Sequence, residues 1–183
     1  MIKLISFYGI ITFLFKLKKY KVGYFFGFIV SLMFLKRVDF FHFLTIKFFF
    51  CAFLGYFISP FIVTITYMST FFVRPKIELS YRFSPILLCD VLLEEYLWRH
   101  LFLFILSDMR VSMIENMFLS IIQLLLFIFS HSDIKNKKDF IEMYIYSCLL
   151  LLTAYLLPGM NIGLHLGRNV CCSNAREVCN EGL

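Results

Sequence analysis

Apolar and polar positions along the 183-residue chain alternate as long greasy runs separated by short charged or Pro/Gly breaks. The runs fall at about 4–15, 22–35, 48–73, 86–107, 111–130, 140–157 and 160–172. Runs this long read as helices rather than strands, and a span needs about 20 apolar residues to cross a bilayer. The first two are nearer the length of re-entrant or interfacial pieces, unless the lysines at 16, 18, 19 and 21 snorkel and let the helices run on. Stretch 48–73 is over-long and holds Gly55 and Pro60, so a kink, a tilt or two pieces are expected there. The pattern predicts an all-α, polytopic transmembrane helical bundle with about six spans plus short or re-entrant segments.

Punctuation is clearest after residue 74. "RPKIELSYRF" is a basic loop, and Ser84-Pro85 supplies an N-cap with Pro at the first helical position, predicting a helix from Pro85 to about Leu106. A second helix runs from about Val111 to Ser130 and ends at "HSDIKNKKD", another basic loop. Two spans separate these loops, so both fall on one side, the cytoplasm by the positive-inside rule. The topology of 1–73 is not fixed by this rule, because basic residues flank its short runs on either side. Without repeats or linkers the chain reads as one membrane domain over 1–183, with N-terminal helices over 1–73, a core over 84–170 and a cysteine-containing tail over 171–183. "MIKLISFYGIITFLF" starts as a signal peptide does, but lysines follow where a small-residue cleavage site belongs, so a retained first helix is expected.

Composition agrees with this reading. Aliphatic, aromatic and Cys residues make up 61% of the chain and charged residues 16%, against about 45–50% apolar residues in soluble domains. The net charge of +6 lies in breaks between apolar runs, as in loops that touch anionic lipid, and not on a basic face interleaved with stacking aromatics; nucleic acid is not an expected partner. Cys51, Cys89 and Cys148 sit in apolar runs and read as small core residues. Cys171, Cys172 and Cys179 match no common zinc spacing and read as free thiols, with acylation of the 171–172 pair as an alternative.

The charges inside the membrane runs carry the chemistry. In "LLEEYLWRHLF", Glu94 lies nine residues beyond Pro85, roughly 14 Å along a helix and near mid-bilayer. An ionisable residue there costs about 2.5–3.5 kcal/mol even on the lenient insertion scale. Glu95 and Arg99 are four apart and can pair, while Glu94 is turned about 100° away. A structural clamp between helices explains such a set as well as a reactive site does. His131, four residues after Phe127, is readily an interfacial histidine, and His165 with Asn169 is readily an interhelical hydrogen-bonding pair. Together Glu94, Glu95, Arg99, His131, His165 and Asn169 supply a general base, imidazoles to orient water and two donors for an oxyanion.

Three motifs in order, "EEYLWR" (Glu94-Glu95-x-x-x-Arg99), "FIFSH" (Phe127-x-x-x-His131) and "HLGRN" (His165-x-x-x-Asn169), resemble those of the CAAX-processing and bacteriocin-processing (CPBP, or Abi) intramembrane glutamic endopeptidases. The resemblance covers about residues 84–170. It departs at His100, where a Gly often follows the Arg, and in the short N-terminal part. It implies that Glu94 with His131 activates a water, that His165 and Asn169 donate to the tetrahedral oxyanion, and that Glu95 and Arg99 orient the site. No cofactor is expected. Zinc is the alternative, since two His and two Glu could bind it, although no His-Glu-x-x-His spacing occurs and Asn169 is a poor ligand.

A Phe- and Tyr-rich chain with lysine-rich loops suggests an AT-rich, hence bacterial, genome and a multi-pass protein of the cytoplasmic membrane. The expected substrate is a peptide or protein terminus arriving from the cytosol or the lipid, in peptide or bacteriocin maturation or self-immunity. Two other readings stand beside the protease: a non-catalytic immunity or binding protein on the same scaffold, and a proton-coupled transporter, for which no inverted repeat is visible. Substrate identity and oligomeric state are not encoded legibly.

Overall fold

The computed structural model describes residues 2–34, 45–71, 84–131 and 137–181, and their side chains except at 31–34, 71 and 172–181. Every regular element among the described residues is helical: α1 (Ile2–Lys16), α2 (Tyr20–Phe34), α3 (Ile46–Phe71), α4 (Pro85–Glu95), a π-helical turn (Tyr96–His100), α5 (Leu101–Met109), α6 (Met113–Ser130), α7 (Lys137–Leu156) and α8 (Met160–Glu181). Three of them, α3, α6 and α7, are long and apolar enough to cross a membrane by length and composition. Large side chains such as Phe53, Phe61, Ile65, Ile121 and Leu152 stand exposed on these helices, where a soluble protein would carry polar residues. The basic positions Lys36, Arg37, Arg74, Lys76, Arg82 and Lys135 lie outside the described residues.

The chain's contacts fall into two compact units, residues 1–39 with 96–147 and residues 40–95 with 148–183. In the first, α1 and α6 run parallel. Thr12 donates to the Leu126 carbonyl at 3.2 Å, Lys16 lies 6.0 Å from the centre of the Phe129 ring, and Leu4 and Tyr8 line a small pocket with Leu119 and Gln123. Lys18, with φ of 57°, turns the chain from α1 into α2, and the buried Phe15 ring packs edge-on against Tyr20 and Tyr24. α6 begins at a reciprocal capping box: the Ser112 hydroxyl accepts from the Glu115 N–H while Glu115 accepts from the Ser112 N–H, so two of the helix's orphan groups are satisfied.

In the second unit, α3 and α8 run parallel and very close. Three glycines at four-residue spacing, Gly159 just before α8 and Gly163 and Gly167 on it, meet α3. A side chain at Gly163 would overlap the Ala52 carbonyl, and one at Gly167 would lie 2.5 Å from Ser59 Cβ. Gly55 on α3 answers them, since a Cβ there would lie 2.5 Å from the Met160 carbonyl oxygen. Small residues at this spacing let backbones approach as helices do in lipid, where apolar area alone supplies little drive for helix association. Ser59 adds a hydrogen bond to the Leu164 carbonyl at 2.9 Å. Pro60 does not break α3, which continues to Phe71. It cannot donate to the Tyr56 carbonyl one turn back, and that carbonyl faces Gly167. α8 is consequently buried at every position from Asn161 to Arg168.

Two cysteine expectations change. Cys89 is exposed, so it is not a core residue; with Asp90 it lies on the outer side of α4. Cys171 is fully buried within a helix that continues to Glu181. It is therefore not part of an accessible tail, which opposes acylation at that thiol; the Cys172 and Cys179 side chains lie outside the described residues.

Candidate functional site

The polar groups of the second unit gather between α4 and α8. On α4, Val91 and Glu95 are one turn apart and both buried; Val91 packs with Ile162 and Leu166 of α8. This apolar contact sets the register that brings Glu95, with no exposed surface, against the polar stripe of α8. Asn161 Nδ2 donates to Glu95 Oε2 at 2.6 Å, and His165 Nδ1 lies 2.7 Å from Glu95 Oε1. The Gly159 N–H donates to Asn161 Oδ1 at 3.3 Å, which fixes the end of the amide turned to the carboxylate. Both Glu95 oxygens are thus engaged by side chains one helical turn apart.

His165 is the link between the two carboxylates. Its Nδ1 is committed to Glu95, and its Nε2 faces Glu94 Oε2 across 3.8 Å. That gap is too long for a direct hydrogen bond. The Glu94 side chain keeps 15% of its surface exposed, against none for Glu95. Glu95 is therefore the fixed, enclosed carboxylate and Glu94 the accessible one. Asn169 lies one turn beyond His165 and is half-buried, whereas every other position from Asn161 to Cys171 is buried.

Arg99 and His131 belong to the first unit, where Phe127 joins them. The Arg99 guanidinium lies 3.8 Å above the Phe127 ring centre, a cation–π contact made strong by burial, and the His131 ring meets Phe127 edge-on at 4.6 Å. His131 ends α6, and its Nδ1 lies 3.0 Å from the Phe127 carbonyl. That carbonyl can only accept, so Nδ1 carries the proton in this contact.

The π-helical turn that carries Arg99 is held from outside. A widened turn leaves backbone carbonyls without their usual i+4 donors. Tyr8 donates to the Leu97 carbonyl at 2.8 Å, and Gln123 donates to the Trp98 carbonyl at 2.6 Å. The fully buried Trp98 ring packs 5.3 Å from Tyr8 and 5.5 Å from Phe127.

The structure therefore brings Glu94, Glu95 and His165 together in one unit, and Arg99, Phe127 and His131 in the other. Asn161, Gln123 and Tyr8 were missed from sequence. Asn161 had a readable signal, because Asn161, His165 and Asn169 repeat at four-residue spacing and share one face of α8. Among the described residues no group of three or more His, Cys, Asp or Glu side chains has an arrangement that could hold a metal ion. The chain matches no known family model, no curated protein and no solved structure.

Proposed function

We propose that the protein is a multi-pass intramembrane endopeptidase of the CPBP type, in which Glu94 activates water to hydrolyse a peptide bond. The observation that carries this reading is the asymmetric carboxylate pair: Glu95 has no exposed surface and is held by Asn161 and His165, while the Glu94 side chain keeps 15% of its surface exposed and lies 3.8 Å from His165 Nε2. In the proposed step, Glu94 takes a proton from a water molecule as its oxygen adds to the scissile carbonyl. The tetrahedral oxyanion accepts a hydrogen bond from Asn169, and the protonated Glu94 then delivers its proton to the departing amine as the C–N bond breaks. Glu95, with Asn161 behind it, keeps the imidazole of His165 in place. The motif resemblance assigns water activation also to His131, oxyanion binding also to His165, and an orienting role to Arg99.

The membrane placement has its own support. In each unit two helices separated by three intervening apolar segments run parallel, α1 with α6 and α3 with α8, as successive crossings in alternating directions require. Alternation through all the helices gives seven crossings, one more than the six read from the sequence, with α1 and α2, each of 15 residues and so roughly 22 Å long, as the short ones. A bacterial cytoplasmic membrane suits the lysine-rich loops, and peptide or bacteriocin maturation suits a site reached from that side. The test is to map protein N-termini in cells producing the wild-type chain or Glu94→Gln: termini that depend on Glu94 are expected, and identical maps would sink the proposal.

A second reading draws on the same contacts. Glu95, Asn161 and His165 also form an interhelical clamp between α4 and α8, and a non-catalytic immunity protein needs no more than that. Protection of cells from a bacteriocin that survives Glu94→Gln unchanged would favour it.

A further inference from the structure

Phe129, half exposed near the end of α6, joins three helix ends of the first unit. The Lys16 ammonium at the end of α1 lies 6.0 Å from its ring centre, and the Phe140 ring in the first turn of α7 lies 6.3 Å away. The parallel packing of α1 on α6 thus brings lysines far apart in sequence to one end: Lys16, Lys18, Lys19 and Lys21 from the α1–α2 turn, and Lys137 and Lys138 from the start of α7, all exposed. Among the described residues of these ends the acidic side chains are Asp139 and, further into α7, the buried Glu142. Tyr20, in ring contact with Phe15, adds an aromatic of the kind found at headgroup depth.

We infer that these six lysines form one cationic collar that binds anionic phospholipid headgroups at the end of the unit where His131 sits. Sequence left the direction of the N-terminal helices open; the α1–α6 pairing sets it, with the Lys16–Lys21 turn at the His131 end and Lys3 at the other. Four to eight lysines beside apolar helices attract an anionic leaflet, and the attraction falls with salt because the headgroup contact is solvent-exposed. The inference rests on the membrane placement proposed above and not on the peptidase chemistry.

The test is the full chain reconstituted in phosphatidylcholine bilayers with trace spin-labelled phosphatidylglycerol or spin-labelled phosphatidylcholine, reading the motionally restricted fraction by electron paramagnetic resonance. The expected result is a several-fold preference for phosphatidylglycerol at low salt. It should be lost at high salt and in Lys16→Gln/Lys18→Gln/Lys19→Gln/Lys21→Gln, kept in Lys3→Gln and Lys47→Gln, and undiminished by inorganic phosphate at matched ionic strength. Equal preference in the quadruple variant, equal loss in Lys3→Gln, or displacement by inorganic phosphate overturns the collar. Restricted lipid with no headgroup preference in the wild type overturns the collar alone, whereas no restricted lipid of either kind overturns the membrane placement beneath it.

Discussion

Replacing Asn161 by Ala removes one hydrogen bond whose loss can be weighed. Asn161 Nδ2 donates at 2.6 Å to a carboxylate oxygen of Glu95, and neither residue has exposed surface. Neutral interhelical hydrogen bonds in membrane proteins average about 0.6 kcal/mol, but bonds to charged groups contribute about 1.5–3 kcal/mol. The short distance and full burial favour the larger figure. Water cannot readily replace the donor, and the Gly159 N–H loses its acceptor too. A destabilisation of about 2–3 kcal/mol is expected. The assay is a double-mutant cycle of Asn161→Ala with Glu95→Ala, read by reversible unfolding in detergent or by steric trapping in bilayers. A coupling energy of about 1 kcal/mol or more follows from the bond to the carboxylate. Additive losses, with coupling below about 0.3 kcal/mol, would refute the reasoning and leave Asn161 as a helix-start residue only.

Gly163→Ala should destabilise by about 1–3 kcal/mol, because its Cβ would meet the Ala52 carbonyl and force α3 and α8 apart. Gly9→Ala in α1, with open space around the position, should instead stabilise by about 0.5–1 kcal/mol through helix propensity; thermal unfolding of both variants checks the contrast. Gln123→Leu leaves the buried Trp98 carbonyl without its donor and should cost about 1–3 kcal/mol, more than Tyr8→Phe if Leu97 recovers a backbone donor. Asn169→Ala should slow peptide cleavage about 10²–10³-fold, the usual loss for an oxyanion donor, with little change in unfolding midpoint because the residue is half-buried. A loss of stability matching the loss of cleavage would count against that role.

The helices were legible because their apolar runs and breaks are unambiguous: α6, expected over 111–130, spans Met113–Ser130, and α3, expected over 48–73, spans Ile46–Phe71. Of the kink, tilt or two pieces expected at Gly55 and Pro60, the continuous α3 excludes only the two pieces. The π-helical turn was not legible, since its stability comes from Tyr8 and Gln123, residues distant in sequence. The α3–α8 contact was readable in principle from Gly159, Gly163 and Gly167, but the Pro-Gly pair at 158–159 reads first as a chain break. Glu94 and Glu95 stood out as charges in an apolar run, whereas their division into a partly exposed and an enclosed carboxylate depends on Val91 packing against Ile162 and Leu166. That register is a tertiary property, which spacing along one helix does not contain.

The most direct test of the central claim is the rate of peptide-bond cleavage by the purified chain in lipid, measured on a mixed peptide library by mass spectrometry, for the wild type, Glu94→Gln and Asn161→Ala. The account predicts new peptide termini in the wild type, a loss of about 10²–10⁴-fold in Glu94→Gln, the range for a removed general base, and a smaller loss in Asn161→Ala. Cleavage by Glu94→Gln at the wild-type rate would contradict it.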